Sequence, residues 1–573
     1  MTLLNPYTLS TSLRWILIVF SALIVGFGQP VWSSWISLIA AIVGYACFWR
    51  TLLDVESNRK RFWLGTGWFT VVQLIQLVWF VSHPYLYIWF VYFILSFAMG
   101  LQFGLICWFV RPKYFERWAW ILLIPGLWTL LEWSRLFVLS GFSWNPAGLA
   151  YTGFLSSLQM ASVGGIFFLS FWVFLANALA LRSWFYPKVS LLWAIVAAFP
   201  FLFGFAHLNI HEHSFETHQK EAEHPFLNTV LVQTAFPVEE SMPFWDSYRM
   251  IGYVLNEWKQ ILKITKKQHG KSIDLMVLPE FTVPYGTYSF VFPYQAVEEV
   301  FREILGQESL ASLPKLESPF AKQIQTKTGQ VWFVNNAFWI QGIANYFRCG
   351  VLIGLEDAED ITPDKREHYS AAIYFEHQVF LPDFFNPERY EKRVLVPLGE
   401  YIPFSFCRAL AAEYGVQGSF TCGTGPKIFR GCKVPFGASI CYEETFGEVM
   451  LENRQAGAEL LVNLTSDVWY PNSYLPRQHF DHARLRTVEA GIPLVRACNT
   501  GITGAIDSLG RVVDLLGGDR VEEFEWVADS ILIKVPTYHY KTLYTLVGDK
   551  MVLAISLVSV LFFILSRRNK YVP

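Results

Sequence analysis

The chain has 573 residues and a formal net charge of −2, and 53% of its residues are hydrophobic while only 16% are charged. Soluble globular proteins are nearer a quarter charged, and the mean hydropathy of +0.32 predicts that part of this chain lies in lipid. The near-neutral charge argues against a nucleic-acid partner, because phosphate binding needs a concentrated basic surface. The 23 Trp and 50 Phe residues suit positions at lipid and headgroup boundaries.

Long apolar blocks fill the first part of the chain, and each approaches the roughly 20 residues needed to cross a bilayer core. They predict seven spans, at 14–28, 34–49, 63–81, 84–110, 118–140, 158–181 and 189–207. An eighth block, Met551–Leu565, precedes a basic tail. We therefore expect a seven-span region over 1–222, a globular domain over 223–540, and a closing span with its tail over 541–573.

Basic residues in the short loops set the predicted orientation, because loops rich in Lys and Arg stay in the cytoplasm. With a cytoplasmic N-terminus, the turns around Gln29–Ser34 and His83–Tyr85 face outward, and they contain no Lys or Arg. The inward turns and tail carry Arg50, Arg59, Lys60, Arg61, Arg111, Lys113, Arg117, Arg182, Lys188, Arg567, Arg568 and Lys570. The globular domain then lies outside the cytoplasm. A signal peptide at the first block is disfavoured, because no small-residue cleavage site follows it.

Between Leu227 and Pro536, short apolar strands alternate with helical stretches, a pattern typical of a layered α/β fold. Predicted helices include Trp245–Lys266 and Pro476–Ala490. Predicted strands are Thr229–Gln233, Asp274–Leu278, Val331–Asn335, Val351–Leu355, Ala371–Glu376, Val434–Ile440 and Glu459–Asn463. Reactive side chains in such folds gather beyond the carboxyl ends of strands, so the residues that follow each strand are candidates for a site.

Three such segments carry a chemically complete set of side chains. Glu280 and Cys441 each follow a predicted strand, and Lys392 lies in the segment Arg389–Pro397. A thiol needs a base to become a thiolate, and a carboxylate in a partly dry site can be that base. A fixed Lys can stabilise an oxyanion. On pattern alone, however, a Glu after a strand is more often in a solvated turn, and a lone Cys is more often an inert core residue.

Known motifs strengthen the functional interpretation. Leu278–Glu280, Lys392 with Val396–Pro403, and Ile440–Glu443 resemble the nitrilase superfamily in its Glu–Lys–Cys order. With its spans, the chain resembles the bacterial apolipoprotein N-acyltransferase family over nearly its whole length. Further matching segments are Gly26–Pro30, Glu132–Arg135, Gly141–Trp144, Asn463–Tyr470, Gln478–Phe480, Ala483–Arg484 and Arg496–Gly501. The resemblance implies a multi-pass protein of the bacterial inner (cytoplasmic) membrane with a periplasmic nitrilase-like domain, an α-β-β-α sandwich.

By that resemblance, Glu280 is the base, Lys392 stabilises the oxyanion and Cys441 is the nucleophile. The supporting or substrate-binding residues are Glu400, Tyr442, Glu443, Trp469 and Trp245. Glu400 would orient Lys392 or share protons with the site.

The resemblance also implies a two-step reaction. We expect a monomer with no metal and no cofactor. Cys441 takes an acyl chain from a membrane phospholipid as a thioester. The N-terminal amine of a diacylglyceryl-modified apolipoprotein then takes the chain as an amide. Two departures bear on donor-lipid preference: Arg393 stands where His is commoner in the family, and Leu398 where Phe is commoner.

Two other functions are compatible with parts of the sequence. A membrane-tethered nitrilase-type amidase would use the same three residues and let water take the thioester. A non-enzymatic lipid scaffold or transporter would predict the loss of a catalytic residue, whereas Glu280, Lys392 and Cys441 are all present.

Several other residues have both a structural and a functional interpretation. Cys422 and Cys432 would lie where disulfides can form, but sequence does not fix connectivity. His479 and His482 favour packing over metal binding, since no third ligand is evident nearby. Glu132 and Arg135 lie together at the end of a predicted span. They either snorkel or line a polar entry for a headgroup or peptide.

The aromatic segment Phe281–Tyr294 directly follows Glu280. It either packs on the domain core or forms a mobile lid at the headgroup level, where amphipathic rings are favoured. We expect the lid, because the same opening must admit two lipid-anchored substrates in turn. Its lipid-facing rings would be Tyr285, Tyr288, Phe290 and Phe292.

Overall fold

The structure is a computed structural model that describes residues 6–238, 246–327, 329–362, 365–377, 388–404, 408 and 419–568. The chain divides into two compact units. The helical unit consists of Met1–Phe215, Tyr470–Gly491 and Lys541–Pro573, and the sheet unit consists of Glu216–Trp469 and Ile492–Tyr540. One segment from the globular part of the sequence is therefore a component of the helical unit.

A helix forms at each of the eight apolar blocks. Several begin at a serine: the hydroxyls of Ser10, Ser33 and Ser57 each accept a hydrogen bond from the backbone N–H three residues later, which satisfies a donor that the first helical turn leaves unpaired. The α-helices are α1 (Thr11–Gly26), α2 (Ser34–Ile39), α3 (Tyr45–Arg50), α4 (Asn58–Gln76), α5 (Tyr87–Cys107), α6 (Pro112–Phe115), α7 (Ala119–Ser134), α8 (Leu155–Leu158), α9 (Ala161–Ser183), α10 (Ser190–Glu221), α11 (Ser247–Lys266), α12 (Tyr294–Leu305), α13 (Asn336–Phe347), α14 (Gly447–Gln455), α15 (Leu475–Ala490), α16 (Val521–Phe524), α17 (Leu543–Val547) and α18 (Lys550–Arg568).

Part of the helical unit has the dimensions of membrane spans. Among the described residues, three helices could cross a membrane by length and composition: Tyr87–Cys107, Ala161–Ser183 and Pro187–Glu221. Shorter apolar helices are Thr11–Gly26, Ser34–Arg50 and Lys550–Ser566. The exposed faces of α1, α5, α10 and α18 carry large apolar side chains, which is typical of surfaces that contact lipid. These features are consistent with a membrane protein, while the number and direction of crossings stay predictions.

Helix α9 is interrupted at Gly164 and Gly165, where the backbone leaves the helical region. Gly165 has a φ of 68°, and a Cβ there would lie 2.5 Å from the Tyr544 ring, so only glycine fits. The break frees the N–H of Ile166, which donates a hydrogen bond of 2.8 Å to Oε1 of Glu489 in α15. Buried backbone donors need such partners, so α15 completes the helical unit.

The start of α15 is also held by polar contacts within the helical unit. Nε2 of Gln478 donates to Oε1 of Gln29 at 3.1 Å and to the Trp144 carbonyl oxygen at 2.9 Å. Nε2 of His482 lies 3.0 Å from the same carbonyl oxygen. The predicted helix is confirmed, and its polar side chains contact the loops that follow α1 and α7.

In the part of the sheet unit that the structure describes, the strands form two six-stranded sheets and one small sheet of three strands. The strands are β1 (Phe226–Gln233), β2 (Leu275–Val277), β3 (Phe292–Pro293), β4 (Ala321–Thr326), β5 (Gly329–Val334), β6 (Gly350–Thr362), β7 (Lys365–Phe375), β8 (Glu388–Glu391), β9 (Ile428–Phe429), β10 (Phe436–Ile440), β11 (Leu460–Thr465), β12 (Leu494–Cys498), β13 (Gly504–Ile506), β14 (Val512–Leu515) and β15 (Asp529–Pro536). The first sheet has the order β15-β1-β2-β6-β7-β8 and the second β14-β13-β12-β11-β10-β9.

The two large sheets share a buried apolar layer, to which Leu231 and Val462 belong. A second core covers the outer face of the first sheet, where Trp258 of α11 stacks on Trp339 of α13 with ring centroids 5.3 Å apart. On the outer face of the second sheet, Asn453 of α14 donates to a backbone carbonyl of β10 at 3.1 Å. This layering confirms the α-β-β-α sandwich.

The strand predictions are confirmed, and parallel pairing explains why strand ends matter. Strands β1, β2 and β6 are parallel, as are β10, β11 and β12. Parallel strands bring their carboxyl ends to one edge of a sheet, which is where Glu280 and Cys441 follow β2 and β10. The observed strands exceed the predicted ones most in the β6–β7 hairpin, because the polar residues at its tip continue the pairing beyond the predicted apolar segments.

Most of the aromatic segment Phe281–Tyr294 packs on the core, and the lid expected from Tyr285, Tyr288 and Phe292 is wrong. Phe292 is fully buried in β3, with its ring centroid 6.0 Å from that of Trp339. Tyr285 and Tyr288 pack on the same core. Aromatic residues have the same apolar character in a core as at a headgroup boundary, and helix α13, which packs on this segment, comes from a later part of the chain.

Replacing Phe292 with Ser should destabilise the sheet unit, because it removes a buried ring and puts a hydroxyl into the cavity. Truncating a buried Phe costs about 3–5 kcal/mol, so the thermal unfolding midpoint of the purified protein should fall. Phe290→Ser is the matched control, since Phe290 is only partly buried. A midpoint for Phe292→Ser no lower than that of the control would contradict the core assignment.

Candidate active site

A lysine between two carboxylates lies at the centre of the candidate site. Lys392 is 1% exposed, and its Nζ lies 2.8 Å from Oε1 of Glu280 and 2.7 Å from Oε1 of Glu400. Both contacts are buried ion pairs. Burying a charge is unfavourable unless it is paired and hydrogen-bonded, so the lysine depends on both carboxylates and each carboxylate depends on the lysine.

Glu280 reaches this position through a close approach between β2 and β6. The Pro279 carbonyl accepts a hydrogen bond of 3.1 Å from the N–H of Gly354. A Cβ at Gly354 would lie 2.6 Å from Cα of Glu280, so any larger residue would displace the carboxylate. The hydroxyl of Thr282 donates to the Pro279 carbonyl at 2.7 Å and turns the chain after Glu280.

Lys392 and Glu400 are held by one short segment after β8. The backbone N–H of Lys392 donates to the Ser370 carbonyl at 2.9 Å, which continues the pairing with β7. Oε2 of Glu400 accepts a hydrogen bond of 2.7 Å from the N–H of Val396. One carboxylate therefore binds both the lysine side chain and the backbone that follows it.

Cys441 begins a 3-10 helix, Cys441–Thr445, directly after β10. Its φ of 52° is left-handed, a conformation that costs a residue with a side chain about 1–3 kcal/mol. Its carbonyl accepts a hydrogen bond of 3.2 Å from Nδ2 of Asn463, which also donates to Oγ of Ser439 at 3.0 Å. The thiol is partly buried, and it is close enough to the Glu280 carboxyl group for each to affect the ionisation of the other.

A second buried carboxylate, Glu443, ties the lysine segment to the cysteine turn. Its Oε1 accepts from the N–H groups of Arg393 at 2.6 Å and Val394 at 3.1 Å. Its Oε2 accepts from the N–H of Ile440 and the hydroxyl of Tyr390, both at 2.8 Å. Four donors satisfy this carboxylate, and they come from both sides of the candidate lysine and from the residue before the candidate thiol.

Burial and charge set the protonation states of the site. Desolvation raises the pKa of Glu280 to about 7, with the charge of Lys392 opposing the rise and that of Glu400 adding to it. Desolvation, followed by the charge of Glu280, raises the pKa of the Cys441 thiol far above its usual range. Desolvation lowers the pKa of Lys392, but the charges of Glu280 and Glu400 outweigh it and raise the pKa overall.

These states suit nucleophilic chemistry near neutral pH. A carboxyl group with a pKa near 7 can take a proton from a thiol and return it. A thiolate is the reactive form of cysteine, and a fixed, charged ammonium can stabilise a developing oxyanion. The site can therefore cleave an ester or amide through a covalent bond to sulfur.

The remaining predicted site residues differ in how the structure describes them. Tyr442 is buried and packs edge-on against Phe446, with ring centroids 4.8 Å apart. Trp469 is half-buried in the loop after β11. Trp245 lies outside the described residues. The functional roles of these three residues stay predictions.

Sequence reasoning missed two residues that support the site, Tyr390 and Asn463. Tyr390 donates to Glu443 from within β8, and Asn463 fixes the Cys441 carbonyl. A signal for Asn463 was present, because an amide within the apolar strand Leu460–Thr465 needs a partner once it is buried. Tyr390 gave no such signal, since tyrosine is common in half-buried strands.

The Cys422–Cys432 disulfide considered from sequence is not formed: both are free cysteines, and Cys422 is exposed. Among the described residues, no group of three or more His, Cys, Asp or Glu side chains has the arrangement of a metal site. Glu132 and Arg135 are 2% and 6% exposed, so the snorkelling interpretation is wrong. Oε1 of Glu132 instead accepts from the N–H of Ala147 at 2.8 Å.

Comparisons with known proteins agree with this architecture. Residues 250–523 match the family model described as carbon-nitrogen hydrolase. Residues 21–179 match the one described as apolipoprotein N-acyltransferase N-terminal domain.

Two proteins that are similar over nearly the whole chain are both apolipoprotein N-acyltransferases. The apolipoprotein N-acyltransferase of Chlamydia pneumoniae is 30% identical over 570 residues, which cover 96% of each chain. That of Chlamydia trachomatis serovar D is 30% identical over 569 residues, covering 95% of each chain. Among solved structures, an amidase from Nesterenkonia sp. is 16% identical, with a TM-score of 0.29, and the match covers 55% of this chain and 91% of that one.

The reactivity of Cys441 toward a small water-soluble alkylating reagent should rise as the pH increases through about 7. Below that pH Glu280 is protonated and does not accept the thiol proton, whereas above it the carboxylate does. Second-order alkylation rates of the purified protein, measured against pH, would show this step. Glu280→Gln should lose the step near pH 7 and keep only the rise of an isolated thiol at high pH. A step retained in that variant would refute the role of Glu280.

Proposed function

The chain belongs to the apolipoprotein N-acyltransferase family, and on that premise we propose that it acylates the N-terminal amine of lipoproteins through a thioester at Cys441. Family membership makes the chain an acyltransferase of lipoprotein maturation. The geometry of the candidate site supports an assignment of residues to each step. The donor, the intermediate and the membrane topology are parts of the proposal.

In the first step, Glu280 takes the proton of the Cys441 thiol, and the thiolate attacks the carbonyl carbon of a phospholipid acyl ester. Lys392 stabilises the oxyanion of the tetrahedral intermediate. When the intermediate collapses, the carbon–oxygen bond breaks and the lysophospholipid oxygen takes the proton from Glu280. The acyl chain stays on the sulfur as a thioester.

In the second step, the neutral amine of the diacylglyceryl-modified cysteine attacks the thioester carbonyl. Glu280 accepts a proton from the amine nitrogen, and Lys392 again stabilises the oxyanion. The carbon–sulfur bond then breaks, and the sulfur takes the proton back. Glu400 keeps Lys392 charged and in place through both steps.

One observation carries the proposal: the buried Lys392 ammonium contacts Glu280 and Glu400 beside the Cys441 turn. A non-enzymatic scaffold would gain nothing from burying three charges near a cysteine whose backbone is strained. A membrane-tethered amidase would use the same groups, with water as the second acceptor. Family membership favours the lipoprotein amine as that acceptor.

The membrane part of the proposal rests on the loop charges and the apolar helices. We infer that the eight apolar helices cross the bacterial inner membrane and that the sheet unit faces the periplasm. Both substrates are held in the membrane by acyl chains, which explains why the catalytic domain is part of a membrane protein. The enzyme acts as a monomer, since one sheet unit supplies all of the assigned side chains.

Cys441→Ser should abolish formation of the N-acylated product, because a serine hydroxyl without a dedicated histidine is a far weaker nucleophile. Lys392→Met should lower the rate by roughly 10²–10³-fold, the range seen when an oxyanion donor is removed. The measurement is mass spectrometry of a diacylglyceryl lipopeptide incubated with enzyme and phospholipid vesicles. Cys432→Ser is the matched control and should keep full activity, since that cysteine lies outside the assigned residues. Turnover by Cys441→Ser at the rate of the native enzyme would remove Cys441 from its role.

Topology can be tested with a membrane-impermeant amine reagent applied to intact spheroplasts. Lys365 is exposed in the sheet unit and should be modified, while the exposed Lys60 should be protected by the membrane. Lysed spheroplasts provide the control, in which both lysines should react. Protection of Lys365 with labelling of Lys60 would overturn the orientation and the periplasmic site.

A further inference from the structure

Three buried charged residues that the reaction steps do not use lie near the Cys441 turn. Nη1 of Arg496 lies 2.6 Å from Oε2 of Glu444, and Nη2 lies 3.7 Å from Oδ2 of Asp467. Arg496 and Glu444 are fully buried, and Asp467 is 4% exposed. Buried ions persist in folded proteins when they are paired, so this cluster holds two carboxylates and one guanidinium together.

The three residues lie in, or just after, three neighbouring strands of the second sheet: β10, β11 and β12. Glu444 lies in the 3-10 helix that begins at Cys441. Asp467 lies two residues beyond β11, in the loop that contains Trp469. Arg496 is in β12, paired with Asn463 of β11. A single guanidinium therefore joins the turn that carries the thiol to the loop after the next strand.

Charge as well as position connects the cluster to the thiol. Cys441 is faced by the charges of Glu280, Lys392 and Asp467, and by the hydroxyl of Thr465. The anion of Asp467 opposes the formation of a second negative charge on the sulfur.

Arg496 in turn is faced by Glu444, Asp467 and Cys498. Its positive charge offsets both carboxylates. Without that charge, the two buried carboxylates would lose the cation that contacts both of them.

We propose that Arg496 is a positioning residue for acyl transfer, which clamps the Cys441 turn to the Asp467 loop and balances the charges of Glu444 and Asp467 there. The inference rests on the proposed function only in taking Cys441 as the reacting thiol. Arginine suits this role because its planar guanidinium presents several donors that can bind two carboxylates at once. Lysine would keep the charge and lose the bridge, so the two effects can be separated.

The first test measures the pH midpoint for alkylation of Cys441 by iodoacetamide in the purified full-length protein. Glu280 and the thiol titrate together in this midpoint, and both respond to a nearby anion in the same direction. Asp467→Asn should lower the midpoint by on the order of one pH unit, because it removes an anion. Arg496→Met should raise it by a similar amount, because it leaves the two carboxylates without their cation.

The second test separates the clamp from the charge. Arg496→Lys should keep the midpoint near that of the native protein, yet slow acyl transfer by up to roughly 10²-fold, as expected when reacting groups are misplaced. Arg389→Met is the matched control. It also removes a cation paired with carboxylates, Asp357, Glu359 and Glu391, but on the outer face of the first sheet, so the midpoint should not move.

Thermal unfolding identifies variants that fail to fold. If Arg496→Met is among them, Asp467→Asn decides, because it changes charge while keeping the shape of the side chain. A midpoint that does not fall in Asp467→Asn overturns the proposal, as does an Arg389→Met shift equal to that of Arg496→Met. Native protein that never acylates a lipopeptide, while these midpoint shifts occur, would instead reject the proposed function and leave the charge effect of Arg496 standing.

Discussion

The buried ammonium of Lys392 is the constraint on which the site depends. The Lys392 side chain is 1% exposed to solvent. Glu280 and Glu400 must therefore supply its counter-charges and hydrogen bonds. That need brings the end of β2 and the segment after β8 to one point. Glu443 connects the lysine segment to the Cys441 turn, because its carboxylate accepts hydrogen bonds from the backbone N–H groups of Arg393 and Ile440. Acid, ammonium and thiol are thus positioned by shared polar contacts.

Strain and buried charge are concentrated in the same place. Cys441 adopts a left-handed backbone conformation, and Glu280 lies against Gly354 where no Cβ would fit. Such features persist only when the surrounding structure overdetermines them. The two parallel strand sets and the apolar layer between the sheets provide that support. The resulting Glu280 group, with a pKa raised to about 7, can exchange a proton with a neutral thiol at physiological pH.

The sequence predicted what depends on local pattern. Glu280 and Cys441 follow recognisable strands, and the order of the motifs led to Lys392 and Glu400. It did not predict the Arg496 cluster, because its members are far apart in the chain and meet only through the strand order β10-β11-β12. It also did not predict that the aromatic segment after Glu280 packs on the core, because that burial depends on contacts with α13. Nor did it predict that α15 belongs to the helical unit, because the position of α15 depends on contacts with loops near the start of the chain.

The most direct test of the account is to find the acyl group on the enzyme and follow it. Native protein incubated with phospholipid vesicles should carry one fatty acyl group on the tryptic peptide that contains Cys441. On addition of a diacylglyceryl lipopeptide, that group should leave the enzyme and appear on the N-terminal amine of the lipopeptide. An acyl group on another residue, or product formed while Cys441 remains unmodified during turnover, would contradict the covalent route.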